Sequence, residues 1–174
     1  ETKTPEQSLI QFSNSKEFVS RYKALSAIKD ADAKNPAVVK LLATALKDPF
    51  YRLREQALNQ IDLTNADQAK ALTAEVEKLA SNDPKTLVQA AAISALAKTK
   101  NAKYSSLFEK GMNAVSNAVK GSSLAGIADL DPSKVATLAD KIDLENASED
   151  VISKMLPIIV KNKIEKQMPA IGTT

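Results

Sequence analysis

The feature that most constrains this chain is a repeated helical segment. The stretch KDPFYRLREQALNQI, residues 47–61, returns as NDPKTLVQAAAISAL at residues 82–96. When the copies are aligned on Asp48 and Asp83, 35 residues apart, apolar residues recur at spacings i, i+4, i+5 and i+8. These positions share one face of a helix with about 3.6 residues per turn. Both segments are therefore predicted to be amphipathic helices of one design.

Two further copies turn this resemblance between segments into a period. FVSRYKALSAI, residues 18–28, precedes the first copy by 33 residues, and SSLAGIADL, residues 122–130, follows the second by 34 residues. A period of this size is typical of stacked supersecondary units. One position is small in every copy, which we expect to let neighbouring helices approach closely: Ala24, Ala57, Ala92 and Gly126.

Amphipathic segments between and after the copies supply their partner helices, at residues 35–46, 66–80, 104–115, 131–142 and 148–163. No stretch alternates with period two over the length of a strand. We therefore predict an all-α fold of about nine or ten helices, stacked in antiparallel pairs as a right-handed α-α superhelix, a HEAT/armadillo-like solenoid. Pro157 is expected to kink or divide the last helix. Residues 1–174 are expected to form a single HEAT-like domain, as a fragment of a longer chain.

The composition excludes several kinds of chemistry. The chain has no His and no Cys, which removes His-based proton transfer, thiolate nucleophiles and the usual zinc ligands. We therefore expect no catalytic residue, cofactor or metal in this chain. Aromatic residues make up 4% and the net charge is only +3, which argues against a nucleic-acid surface. No apolar run reaches the roughly 20 residues that a membrane-spanning helix needs.

The Asp-Pro pairs and the residues after them are the candidate structural and functional positions. Asp48, Asp83 and Asp131 each precede Pro, and we predict that they cap helices. Arg54 is expected to pair with Asp48 or with an acidic group of the next repeat, as one rung of a ladder between pairs. An exposed patch that contacts a partner is the alternative for the residues beside it: Phe50, Tyr51 and Arg52.

Other polar and aromatic groups receive ordinary structural interpretations. The carboxylate pairs, such as Glu75 with Glu77, are expected to be solvated rather than catalytic. The basic tail of Lys161, Lys163 and Lys166 suits the C-terminal end of a helix, although it could also attract phosphates or an acidic partner. Four further aromatic residues are expected to lie in the core: Phe12, Phe18, Tyr22 and Phe108.

The first two copies also resemble a known family. Residues 15–62 resemble the C-terminal helical region of bacterial M1 zinc aminopeptidases, in which R-x-x-A-L is followed by DPFxxxRxxA. The matching residues are Arg21, Ala24, Leu25, Asp48, Pro49, Phe50, Arg54 and Ala57. The resemblance implies a non-catalytic helical domain that packs beside the catalytic domain and shapes access to its substrate chamber. The family's H-E-x-x-H and G-x-M-E-N motifs are absent, so zinc is expected only in a catalytic domain elsewhere in the parent chain.

Three other functions stay open at this point. A free-standing HEAT-type scaffold would bind a protein or peptide on its concave face. A basic concave surface could bind nucleic acid, although the acidic residues Glu145, Glu149, Asp150 and Glu165 interrupt the basic residues near the C-terminus. An independent enzyme is the remaining alternative, and no phosphate-binding loop or nucleophile motif supports it.

Overall fold

The computed structural model describes residues 3–162, in which all regular secondary structure is helical, without a strand. They form ten α-helices and two 3₁₀ turns, at Ala102–Tyr104 and Pro132–Lys134. In chain order the helices are α1 (Pro5–Asn14), α2 (Phe18–Ala27), α3 (Pro36–Ala45), α4 (Tyr51–Gln60), α5 (Ala66–Asn82), α6 (Thr86–Ala97), α7 (Ser105–Gly111), α8 (Asn117–Leu130), α9 (Val135–Ala139) and α10 (Glu149–Asn162). The all-α prediction is confirmed.

Polar residues fix where several helices begin. At α3 the side chain of Asn35 accepts a hydrogen bond from the Ala37 amide, and Pro36 occupies the first helical position, as the sequence predicts. Sequence analysis missed α1 altogether. Its start is a capping box in which Thr4 and Gln7 satisfy each other's main-chain amides. The helix lies before the first recognisable copy, so the repeat gave no signal for it.

The helices pack as successive pairs in two layers. Within pairs, α1 contacts α2, α3 contacts α4, α5 contacts α6 and α7 contacts α8. Along the array, α2, α4, α6, α8 and α10 contact one another in order, and we call them the B helices. The helices α1, α3 and α5 form the corresponding A row. This order of contacts is the one that a stack of helix pairs requires, and it leaves the handedness of any superhelix as a prediction.

One continuous apolar core runs through the stack. It includes the repeat positions Ala57, Ile93 and Ile127, whose exposed fractions are 0%, 2% and 3%. The small position works as expected at its last copy. A Cβ atom built on Gly126 would lie 2.7 Å from the ring of Phe108, so the absence of a side chain there is what admits the ring of α7 against α8. Contacts across pairs therefore stabilise the fold.

Several details of the sequence prediction are wrong. Helix α7 ends at Gly111, and Val115, predicted on its apolar face, is 99% exposed in the turn before α8. Tyr22 was expected in the core but is 45% exposed, at the solvent side of α2. Pro157 lies inside α10 and does not divide it, and the kink expected there stays a prediction. Lys163 and Lys166 of the basic tail lie outside the described residues.

Among the described residues, no helix is both long enough and apolar enough to cross a lipid bilayer.

Two glycines of α8 provide a matched test of the close packing. Gly126→Ala should lower the free energy of unfolding by about 1–3 kcal/mol, because the buried Phe108 ring must move. Gly121→Ala should be neutral or stabilising by up to about 1 kcal/mol, since its Cβ would meet only Val151, at 3.5 Å, and Ala favours the helix. Urea denaturation of both variants measures the difference. Equal effects would contradict the packing described here.

Candidate binding surface

Two buried ion pairs link successive helix pairs, and we call them the Arg–Asp ladder. In the first, Nε of Arg21 on α2 lies 2.9 Å from Oδ2 of Asp48. In the second, Arg54 on α4 donates from Nε and Nη2 to the two carboxylate oxygens of Asp83, at 2.7 and 3.0 Å. Side chains of both pairs are at least about nine-tenths buried. Of the two partners considered for Arg54, the structure therefore places the acid of the next repeat against its guanidinium.

The same repeat position also contacts the main chain in three successive pairs. Arg21, Arg54 and Gln89 each donate to a carbonyl oxygen six residues earlier, at 3.1, 2.8 and 2.6 Å. These carbonyls belong to the segments that enter α2, α4 and α6. Gln89 keeps this bond but carries no charge, so the described ladder has two charged rungs.

The Asp-Pro segments differ from the predicted caps. Helices α4 and α6 begin after Phe50 and Lys85, so Asp48 and Asp83 lie two residues before the N-cap positions. Each carboxylate accepts the amide of residue i+2, at 2.9 and 2.8 Å, which forms a turn that leads into the helix. Because these carboxylates also face the arginines, they orient the entering chain and join neighbouring pairs at once.

Asp131 does not share this arrangement. It ends α8, with its amide bonded to the carbonyl of Ile127 at 2.7 Å, and it immediately precedes the 3₁₀ turn. Its side chain accepts from the hydroxyl of Ser133 at 2.5 Å and makes no capping bond. Asp131 thus occupies the N-cap position of the 3₁₀ turn, but the predicted side-chain cap is not formed, because its carboxylate is engaged by the Ser133 hydroxyl.

Phe50, Tyr51 and Arg52 face different neighbours rather than converging on one spot. Phe50 is 48% exposed, and its ring centroid lies 5.6 Å from that of Phe18 and 5.4 Å from the guanidinium carbon of Arg21. Tyr51 is half-buried, with Lys85 of the next pair 5.5 Å from its ring centroid. Arg52 is exposed, pairs with Glu55 on the same helix and lies with its guanidinium carbon 5.0 Å from the ring centroid of Tyr51. A partner could reach Phe50 and Arg52, whereas Phe50 and Tyr51 contact adjacent pairs.

A groove on the B helices is the candidate binding surface. A cavity of about 490 Å³ is lined by α4, α6, α8 and α10, or by residues at their ends. A second cavity, of about 440 Å³, adjoins it and shares the lining residues Asn59 and Lys154. We call the two together the B-face groove. The floor of the larger cavity is formed by small or apolar residues: Ala97, Ala125, Ala128, Pro157 and Ile158.

The charged residues of the larger cavity are mainly basic. Lys98, Lys154 and Lys161 line it, and Asp129 is the single acid among the described lining residues. None of these lysines makes an ion pair with another of residues 3–162, whereas Lys78, Lys103 and Lys134 each do so elsewhere. The charge of Lys98 contributes to the lowered pKa of Asp62, which results first from a hydrogen bond donated by the Thr64 hydroxyl.

A polar cluster outside the groove shows how a lysine is engaged when an acid is close. Glu77 on α5 accepts hydrogen bonds from the Tyr104 hydroxyl at 2.7 Å and from Lys103 Nζ at 2.9 Å. These bonds, that of Tyr104 first, lower the pKa of Glu77, while burial is the main cause that raises the pKa of Tyr104. The cluster joins the 3₁₀ turn before α7 to the preceding pair, which makes it a structural contact.

Sequence analysis missed the groove, although the repeat contains part of its signal. Asn59, Ser94 and Ala128 all line the larger cavity, and they follow one another at the same 35- and 34-residue spacings as the core positions. They form one row across α4, α6 and α8. Lys154 and Ile158 come from α10, which lies outside the recognisable copies, so no periodicity could place them beside this row.

The described residues contain no group of three or more His, Cys, Asp or Glu side chains that could hold a metal ion. Comparison of the chain with models of protein families, with curated proteins and with solved structures finds no match. The resemblance to zinc aminopeptidases therefore rests on the residues quoted above.

The two arginines of α4 test the ladder. Arg54→Ala should lower the free energy of unfolding by about 3 kcal/mol, because it leaves the carboxylate of Asp83 buried without its partner. Arg52→Ala removes an arginine whose ion pair with Glu55 is exposed, and it should leave stability nearly unchanged. Thermal and urea unfolding of the two variants give the comparison. A similar, small effect of both would show that the ladder does not contribute to folding.

Proposed function

We propose that this chain is a non-catalytic helical array that binds a polypeptide on its B helices. The B-face groove is the observation that carries this proposal. Its two adjoining cavities cross four helices, and an extended or helical segment could follow such a surface. The packed stack of pairs supports a rigid surface of this kind, so the array would act by shape rather than by reaction.

A more specific form of the proposal makes that polypeptide the catalytic domain of a zinc aminopeptidase, in the same parent chain. In that setting the array packs beside the domain and shapes access to its substrate chamber. The contacts among the matching residues favour this form. Asp48 pairs with Arg21 and accepts the amide of Phe50, while Arg54 donates to the carbonyl of Asp48. Residues that match the family's spacing thus bond to one another across the boundary between two successive helix pairs.

Selection of displayed peptides on the purified chain tests the general proposal. Peptides should be recovered that bind at the B-face groove, and Ala125→Arg, which fills the floor, should weaken them at least about tenfold. Ala74→Arg, at an exposed position of α5 in the other layer, is the matched control and should bind normally. Helical circular dichroism and thermal unfolding establish that both variants are folded.

Two results would contradict the proposal: no selected peptide, or peptides that bind the Ala125→Arg variant as well as the native chain. The aminopeptidase form has its own test. The parent coding sequence should continue upstream into a domain with the H-E-x-x-H motif, and a parent that lacks this motif would refute that form while leaving the general proposal intact.

A further inference from the structure

The larger cavity of the B-face groove has an excess of positive charge among its described lining residues. Lys154 and Lys161 lie on α10 and line the cavity with Lys98 from the end of α6. Their side chains are exposed and make no ion pair with another described residue. Three cations around one concave surface repel one another, and of the lining residues that the structure describes only Asp129 offsets them. An anionic partner would relieve this repulsion.

We propose that the larger cavity of the B-face groove binds an acidic polypeptide segment, with its carboxylates at Lys154 and Lys161 and its apolar side chains on the floor. This inference rests on the proposed function and specifies the partner's chemistry. Lysine ammonium groups on flexible stems can follow carboxylates at several spacings. The apolar floor, formed by residues such as Ala125, Ala128 and Ile158, adds burial that is independent of charge.

The same observations favour a polypeptide over a nucleic acid. No aromatic side chain lines either cavity of the groove, so bases would have no ring on which to stack. Asp129 lies in the larger cavity, and Glu55 and Asp150 line the adjoining one. These carboxylates would repel a continuous phosphate backbone, whereas a peptide can place its acids at the lysines and neutral residues elsewhere.

The test is a fluorescence-anisotropy titration of the chain with three probes. The first is a labelled 12-residue peptide in which Glu alternates with Leu and Ala, the second is the same peptide with Gln for every Glu, and the third is a single-stranded oligonucleotide. The acidic peptide should bind most tightly, and its affinity should fall as salt rises because exposed charges are screened. The double variant Lys154→Gln/Lys161→Gln should weaken it at least about tenfold.

Two further double variants test whether binding depends on the lysines of the groove or only on the overall charge of the chain. Lys40→Gln/Lys70→Gln removes the same charge from exposed positions on α3 and α5 and should retain binding. Lys154→Arg/Lys161→Arg keeps the cations and should also retain it. Equal binding of the Glu and Gln peptides, both lost in Ala125→Arg, would overturn this inference and leave the proposed function standing. Failure of every peptide would overturn both, and preference for the oligonucleotide would replace the peptide with a nucleic acid.

Discussion

The fold depends on apolar contact between one helix pair and the next. The repeat positions Ala57, Ile93 and Ile127 are buried in one core that runs through the stack, in which neighbouring B helices contact one another. In an array of this kind a pair depends on its neighbours to bury its apolar stripe. Close approach is therefore a requirement at every boundary. Alanine meets it at most copies, and at the last one Gly126 gives its space to the ring of Phe108. The unchanging smallness of this position follows from the stacking itself.

The Arg–Asp ladder fixes the relative position of neighbouring pairs, which apolar contact alone does not. A hydrophobic stripe tolerates sliding, because one apolar neighbour resembles another, whereas a bidentate guanidinium–carboxylate pair fits in one arrangement. Asp83 is held by Arg54 and also orients the amide that leads into α6, so the rung sets both the spacing and the entry angle of the next pair. Desolvation offsets much of the attraction in such pairs. Their main contribution is therefore the register of the stack.

The fold could be predicted from sequence largely because its signals are local and repeated. Helical spacing predicted the B helices, and Asn35 with Pro36 marked the start of α3. What failed had no such signal. Helix α1 precedes the first copy, Val115 follows an apolar pattern that the chain abandons at Gly111, and Asp131 resembles a cap although its carboxylate is engaged by the Ser133 hydroxyl. The ladder could be predicted from sequence because both partners of each ion pair belong to the repeat. The groove could not be predicted, since α10 contributes part of its lining and lies outside the repeat.

The ladder and the groove lie at different places on the B helices. Near the N-terminal ends of α2 and α4, arginine side chains fill the boundary and bond to the incoming chain. Further along, a different repeat position lines the groove, and it is small on α6 and α8: Ser94, which bonds to Ser122 at 2.9 Å, and Ala128. Small side chains bring the backbones together but leave the outer side of the layer unfilled. The larger cavity of the B-face groove is thus a consequence of close packing, and the lysines of α10 give it positive charge.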